Sequence, residues 1–297
     1  MTNHADKPPE TLWHYTDFKG LQGILNGNLW ASSIAFLNDS QEFSYAINVA
    51  REVLTEDDME SEIKGIHDSS LDTAAEMLND IFALEDGTNV FASSFSAKSD
   101  DLSQWRAYGG TGPSMSIGFS ASRLRTVAAS VGFELVRVEY DREEIAATFR
   151  TILRNYYRSM AHCSSGTKPH ALRPIEFTLN VVIPLVELAG RSKDASFLTE
   201  EEWRLVAKFG PPTTSKPKLP FKFRQSGSLV VPYVEIPLQQ DRAIPAAEGR
   251  PRHSVINSVV IGPSPHPKQL KHAVEQMVKN KAEHIEVESS LVPFRNW

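Results

Sequence analysis

Thr199-Glu200-Glu201-Glu202-Trp203-Arg204 sets three carboxylates and a guanidinium within six residues, and the run has two readings. As a strand, its period of two puts Glu200, Glu202 and Arg204 on one face and Glu201 and Trp203 on the other. Two carboxylates about 7 Å apart on one face raise each other's pKa unless a cation such as Arg204 intervenes, an arrangement suited to catalysis. As a helix start, Thr199 takes the N-cap, Glu202 the N3 position of a capping box, and the acids fill the first turn. The residues alone favour the capping box.

His14 lies between Trp13 and Tyr15, just ahead of a helix start, and composition alone reads it as a half-buried edge histidine. The nine histidines never pair with one another or with Cys at metal-ligand spacing, so no metal centre is expected. Cys163 is the single cysteine and has His162 beside it, but adjacent side chains point apart on a helix or strand. A lone thiol excludes an intrachain disulfide and suits a reducing compartment. Gly109-Gly110-Thr111-Gly112 matches neither phosphate-loop pattern and leads into a strand, so it reads as a turn.

The elements that must position these residues follow from periodicity. Leu12–Tyr15 is a predicted strand, followed by a short helix that Thr16 or Asp17 caps, that carries Leu21, Ile24 and Leu25, and that Gly27 stops. Asn28–Ser33 is a second strand, and Asn38-Asp39 caps a helix running to about Leu54. Residues 55–85 read as helical with an acidic face. Further strands are predicted at 90–95, 114–119, 133–140, 221–224, 229–236, 255–261 and 285–288. Helices are predicted after Asp141, over 175–188 and over 267–279. The order lacks regular βαβ alternation, so the fold class is α+β, with a mainly antiparallel mixed sheet and surrounding helices.

The chain has 297 residues, of which 23% are charged and 41% hydrophobic, enough apolar content for a sizeable core. Its net charge of −6 lacks the footprint of a protein that grips nucleic acid through phosphate contacts alone. Residues 1–10 are polar and read as a disordered tail without a secretory signal. Residues 11–297 read as one domain with a helical elaboration around 40–86. The longest apolar run, near Val181–Val186, is too short to cross a bilayer, so a cytoplasmic protein with no membrane partner is expected.

Leu12-Trp13-His14-Tyr15-Thr16, Leu29-Trp30-Ala31-Ser32-Ser33, Leu37-Asn38-Asp39, Phe95-Ser96, Trp105, Tyr108, Ile117-Gly118-Phe119, Glu200-x-Glu202-Trp203-Arg204, Gly262-Pro263 and Val292-Pro293-Phe294-Arg295 occur in an order that resembles the bacterial "domain of unknown function 2971" family. More remotely, His14-x-Thr16, the short helix and the strand after it resemble the opening of the ADP-ribosyltransferase fold. That resemblance implies NAD as substrate, with His14 at the nicotinamide-side ribose and Glu202, with Glu200, as the carboxylate of a late strand. A serine of Phe91–Ser96 (Ser93, Ser94 or Ser96, with Ser94 as the candidate) takes the place on the central strand. It requires the strand reading of 200–204. The implied ligand contacts are His14, Tyr15, Thr16, Ser32, Ser33, Asn38, Asp39, Trp105, Tyr108 and Arg204, with Trp30, Trp105 or Tyr108 as stacking faces for nicotinamide.

Cleaving the nicotinamide bond passes through an oxocarbenium-like ribose, whose charge a fixed carboxylate stabilises. The implied activity is transfer of ADP-ribose to a macromolecule, protein or nucleic acid, or to water, in a setting such as a toxin, stress response or phage defence. Two alternatives stay open. One is a metal-dependent nuclease or hydrolase using Asp39, Glu200 and Glu202. The other is a non-catalytic module that binds a nucleotide or a protein.

Overall fold

The computed structural model describes residues 7–36, 42–66, 74–76, 78–79, 90–108, 112–163, 173–207, 219–238, 255–280 and 285–293. Its centre is a ten-stranded sheet. The strands are β1 (Thr11–Asp17), β2 (Asn28–Ser33), β3 (Phe91–Ser96), β4 (Ser114–Ser120), β5 (Phe133–Arg137), β6 (Glu202–Ala207), β7 (Lys222–Ser226), β8 (Leu229–Pro237), β9 (Ile256–Ile261) and β10 (Glu286–Ser289). They run in the order β10-β9-β4-β1-β3-β2-β8-β7, with β6 on β3 and β5 on β6. The pair β9–β10 is parallel, and the others are antiparallel. The mixed, mainly antiparallel α+β reading of the sequence is thus borne out.

The sheet forks at β3. Strand β6 occupies one edge of β3 from Ala92 to Ser96. Both β1 and β2 must therefore share the other edge. Strand β2 pairs with Phe91 and Ala92, whereas β1 meets β3 only through Trp13↔Ser96. Between those contacts the edge of β3 near Ser94 has no strand beside it. A backbone left without a ladder partner must find another one, and the partner here is the ring of His14.

Helices cover both faces. On one side α1 (Phe18–Leu25), α5 (Ala121–Ser130) and α9 (Pro267–Lys279) bury Leu21, Ile24, Leu124, Val127, Val274 and Val278 against Leu12, Phe95, Phe119, Trp203 and Leu205. On the other, α2 (Glu42–Val53), α3 (Asp57–Ile66), α6 (Arg142–Cys163) and α8 (Ile183–Gly190) pack over Val90, Ala92 and Val206. Each such side chain stabilises the fold by about 1.5–3 kcal/mol relative to exposure. In α6 the buried Ile145, Phe149, Leu153 and Tyr156 recur at helical spacing. Its other face holds Arg150 and Arg154 against Glu56 and Glu62 of the α2–α3 region. The helical layer therefore includes residues 142–163 and 173–190 as well as part of 40–86.

Local chemistry explains most boundaries. Asp17 caps α1 by accepting from the Gly20 amide at 2.8 Å, and Gly27 follows at φ 95°. The expected helix over 175–188 is α7 (Arg173–Phe177), a π-helical turn (Thr178–Val182) and α8 in succession. Pro184 has no N–H to donate to residue 180, and a widened turn accommodates that missing bond. Two helices the periodicity did not suggest, α4 (Leu102–Tyr108) and α5, follow β3 and β4. The strand expected over 133–140 stops at Arg137.

Two glycines of the family pattern are explained by close approach. A Cβ on Gly118 would sit 2.6 Å from Ser258 Oγ and 3.0 Å from the Trp13 ring. One on Gly262 would sit 2.2 Å from Ser114 Oγ and 2.9 Å from the Trp105 ring. The helix cap at Asn38-Asp39, the turn at 109–111, most of the tail at 1–10 and Phe294-Arg295 lie outside the described residues. Among the described residues no helix is long and apolar enough to cross a membrane.

Candidate functional site

The 199–204 run is resolved in favour of the strand, with a modification. A 3-10 turn (Ala195–Glu200) is capped by Asp194, whose side chain accepts from the Ser196 amide. Glu201 then takes a left-handed conformation at φ 47°, and β6 begins at Glu202. The capping box with Thr199 does not form. Backbone pairing with β3, a long-range interaction invisible to local propensity, outweighs it. Glu200 therefore reaches the cluster from a turn, not from the strand face.

Glu202 sits in a buried ionic knot at 4% exposure. Arg204 grips its carboxylate with two bonds, Nε to Oε1 at 2.6 Å and Nη2 to Oε2 at 3.0 Å. Lys193 Nζ donates to Glu202 at 3.1 Å and to Glu200 at 2.7 Å. The Glu202 amide donates to Tyr140 Oη at 3.0 Å, and Ser94 hydrogen-bonds the carboxylate. The carboxylates of Glu200 and Glu202 are thus met by the cations of Lys193 and Arg204. Burial alone would raise the Glu202 pKa, but the charges and bonds of Arg204, with Lys193 and Ser94, outweigh it and hold the group at about 2. Burial pushes Tyr140 up to about 12, so its hydroxyl stays protonated.

His14 closes the fork. Its Nδ1 lies 2.8 Å from the Ser94 carbonyl oxygen, and its ring packs on Phe95 at 5.5 Å between centroids. A carbonyl only accepts, so Nδ1 carries the proton and Nε2 is left as an acceptor. Burial lowers the His14 pKa and the positive Arg224 lowers it further, against the raising effect of the Ser94 bond. The ring is neutral at pH 7.

The register separates His14 from Glu202. Trp13↔Ser96 and Ser96↔Glu202 align those residues on one face, so alternation puts His14 on the opposite face with Phe95. His14 and Glu202 therefore do not line one cleft. They are joined in series through Ser94, whose carbonyl meets His14 and whose hydroxyl meets Glu202.

Other implied contacts are committed elsewhere. Arg204 is an internal counter-ion that also donates to the Gly190 carbonyl. Tyr15 donates to the Lys98 carbonyl at 2.9 Å and accepts from the Asp101 amide at 3.0 Å. Trp105 is 1% exposed, with Nε1 bound to Asp100 at 2.6 Å, and is core rather than a stacking platform. Tyr108 packs against that same cluster. Ser32 and Ser33 are buried on β2, and Thr16 is half-buried on β1. Asn38 and Asp39 lie outside the described residues. Lys193, Tyr140 and Arg224 were not anticipated. A basic residue beyond the acids, as in Arg191-Ser192-Lys193, was the only cue for Lys193, and nothing local marked the other two.

Fold and site together define a forked α+β sheet in which a histidine, a serine and a carboxylate come from adjacent strands. Over residues 104–205 the chain matches the family model described as "Protein of unknown function (DUF2971)", which supports the resemblance to that family. The matched stretch holds Trp105, Ile117-Gly118-Phe119 and the Glu200–Arg204 cluster, while His14 and β3 precede it. No curated protein and no solved structure matches the chain.

Proposed function

We propose that the chain is an NAD-cleaving, ADP-ribosyltransferase-like enzyme whose nucleotide lies at the fork of the sheet. The observation that carries this reading is the series His14–Ser94–Glu202 across β1, β3 and β6. The neutral His14 ring offers Nε2 to a ribose hydroxyl without adding positive charge near the reacting carbon. Ser94 stands between the histidine and the carboxylate. Glu202 is ionised throughout the physiological range and supplies a fixed negative centre behind Ser94, and Glu200 adds a second, less buried carboxylate. A nicotinamide–ribose bond that lengthens toward an oxocarbenium ion is stabilised by such a field. The acceptor of ADP-ribose is a macromolecule or water.

A second reading, nucleotide binding without turnover, is favoured by the engagement of both Glu202 oxygens by Arg204 and Lys193. The carboxylates' commitment to internal cations weighs against the metal-dependent hydrolase. Incubation with NAD and measurement of free nicotinamide decides between the first two. Release that Ser94→Ala reduces about 10²–10³-fold in a folded protein supports the enzyme. Stabilisation by NAD without any release supports the binding module, and neither result removes both.

A further inference from the structure

We propose that Arg224 and Ser32 form a phosphate-binding subsite beside the fork, and that it receives a phosphate group of the nucleotide; this rests on the nucleotide reading above. Arg224 lies on the outer strand β7, opposite Val231 of β8. Its Nη2 nevertheless donates to Ser32 Oγ on β2 at 3.1 Å, so the side chain crosses β8 toward β3. Strands are spaced by about 4.8 Å, so that reach uses nearly the full length of an arginine. Holding so flexible a side chain extended costs conformational entropy that its one hydrogen bond to a hydroxyl only about offsets.

The guanidinium then ends among groups that do not neutralise it. Among the described residues it forms no ion pair, and its Nε is buried without a hydrogen-bond partner. Glu235, on the same face, is taken by Lys222 at 2.7 Å. Asp17 attracts the guanidinium from a distance, but its carboxylate caps α1. The Trp30 ring, itself packed on Tyr233 at 5.1 Å, lies 5.9 Å below the guanidinium carbon. Ser32 Oγ accepts from Nη2, which leaves its own proton to donate. The pairings Arg224↔Val231, Tyr233↔Ser32 and Ser32↔Ala92 put Arg224 and Ser32 on the sheet face that carries Ser94 and Glu202, while the charge of Arg224 still reaches His14 through the fork.

Among the described residues, Arg224 Nε–H and Ser32 O–H therefore have no acceptor beside the half-buried cation. An oxygen-rich dianion completes them better than a carboxylate, because it accepts from the planar guanidinium and the hydroxyl at once. The shared chemistry is that of a phosphate oxygen, and the pyrophosphate of a dinucleotide is the source consistent with a site on the face that carries Ser94.

Calorimetric titration of the full chain with ADP-ribose, and with adenosine as the phosphate-free control, tests this. Arg224→Gln should weaken ADP-ribose at least tenfold and leave adenosine unchanged, and Arg224→Lys should fall between. Wild-type affinity for ADP-ribose should drop steeply with added salt. Unchanged ADP-ribose affinity in Arg224→Gln, an equal loss for both ligands, or no binding of ADP-ribose to the wild type overturns the proposal. Nicotinamide release measured on the same samples separates the two readings. Release without dependence on Arg224 removes the subsite alone, and Arg224-dependent binding without release removes the reaction alone.

Discussion

Replacing Glu202 by Gln removes the carboxylate charge that both Lys193 and Arg204 contact in the buried cluster. The shape hardly changes, but a carboxylate that accepts from two cations becomes an amide that accepts through one atom. The folded-state pKa of about 2, against 4.5 for a free glutamate, corresponds to about 3 kcal/mol of stability at neutral pH. Breaking one partner of a buried pair costs a similar amount, about 3–5 kcal/mol. A protein of this size has only about 5–15 kcal/mol in hand, so the substitution should be plainly visible in urea or thermal unfolding. The sign in pH is fixed by the direction of the shift. A lowered carboxylate pKa contributes fully above about pH 4.5, and its contribution fades as pH falls toward 2. The difference between wild type and Glu202→Gln should therefore be constant from pH 6 to 8 and shrink below pH 4.5. Equal midpoints at pH 7, or a gap that widens in acid, would refute the reasoning that this carboxylate is ionised and holds the knot. An exposed catalytic acid could be replaced without loss of stability, but Glu202 is only 4% exposed. Pairing Glu202→Leu with Arg204→Leu should recover part of the loss, because the double change removes the orphaned charge along with its partner.

Other substitutions probe the surroundings. Tyr140→Phe strips the acceptor from the buried Glu202 amide and should cost about 1–3 kcal/mol in denaturant unfolding, whereas an effect below 0.5 kcal/mol would mean that the amide finds another acceptor. His14→Ala should weaken NAD binding in calorimetry and slow nicotinamide release, and unchanged affinity would take His14 out of the site. Gly262→Ala drives a methyl into Ser114 and the rigid Trp105 ring and should lower stability by about 1–3 kcal/mol, while Gly227→Ala, which meets open space at φ 58°, pays only for backbone strain.

Much of the element pattern was legible because it is written in local periodicity. Asn28–Ser33 and Pro267–Lys279 match their predicted spans, since a strand with Leu29 and Ala31 inward or a helix with Val274 and Val278 inward needs no distant information. His14 on a strand before a capped helix was likewise readable, as was the mainly antiparallel class. The conformation of 199–204 was not. Thr199 and Glu202 satisfy a local capping rule, and only the ladder from Ala92 to Ser96 of β3, more than a hundred residues earlier, makes the strand the better solution. The fate of Glu202 was hidden for the same reason. Lys193 comes from the turn after α8, Tyr140 from beyond β5 and Ser94 from β3, and each is placed by long-range packing. The sequence determined which residue types are present and how each short segment folds. The tertiary structure decided that His14 and Glu202 lie on opposite faces joined through Ser94, and that Arg224 crosses a strand to reach Ser32 with no ion-pair partner among the described residues, because side-chain partners across a sheet depend on register and topology rather than on spacing along the chain.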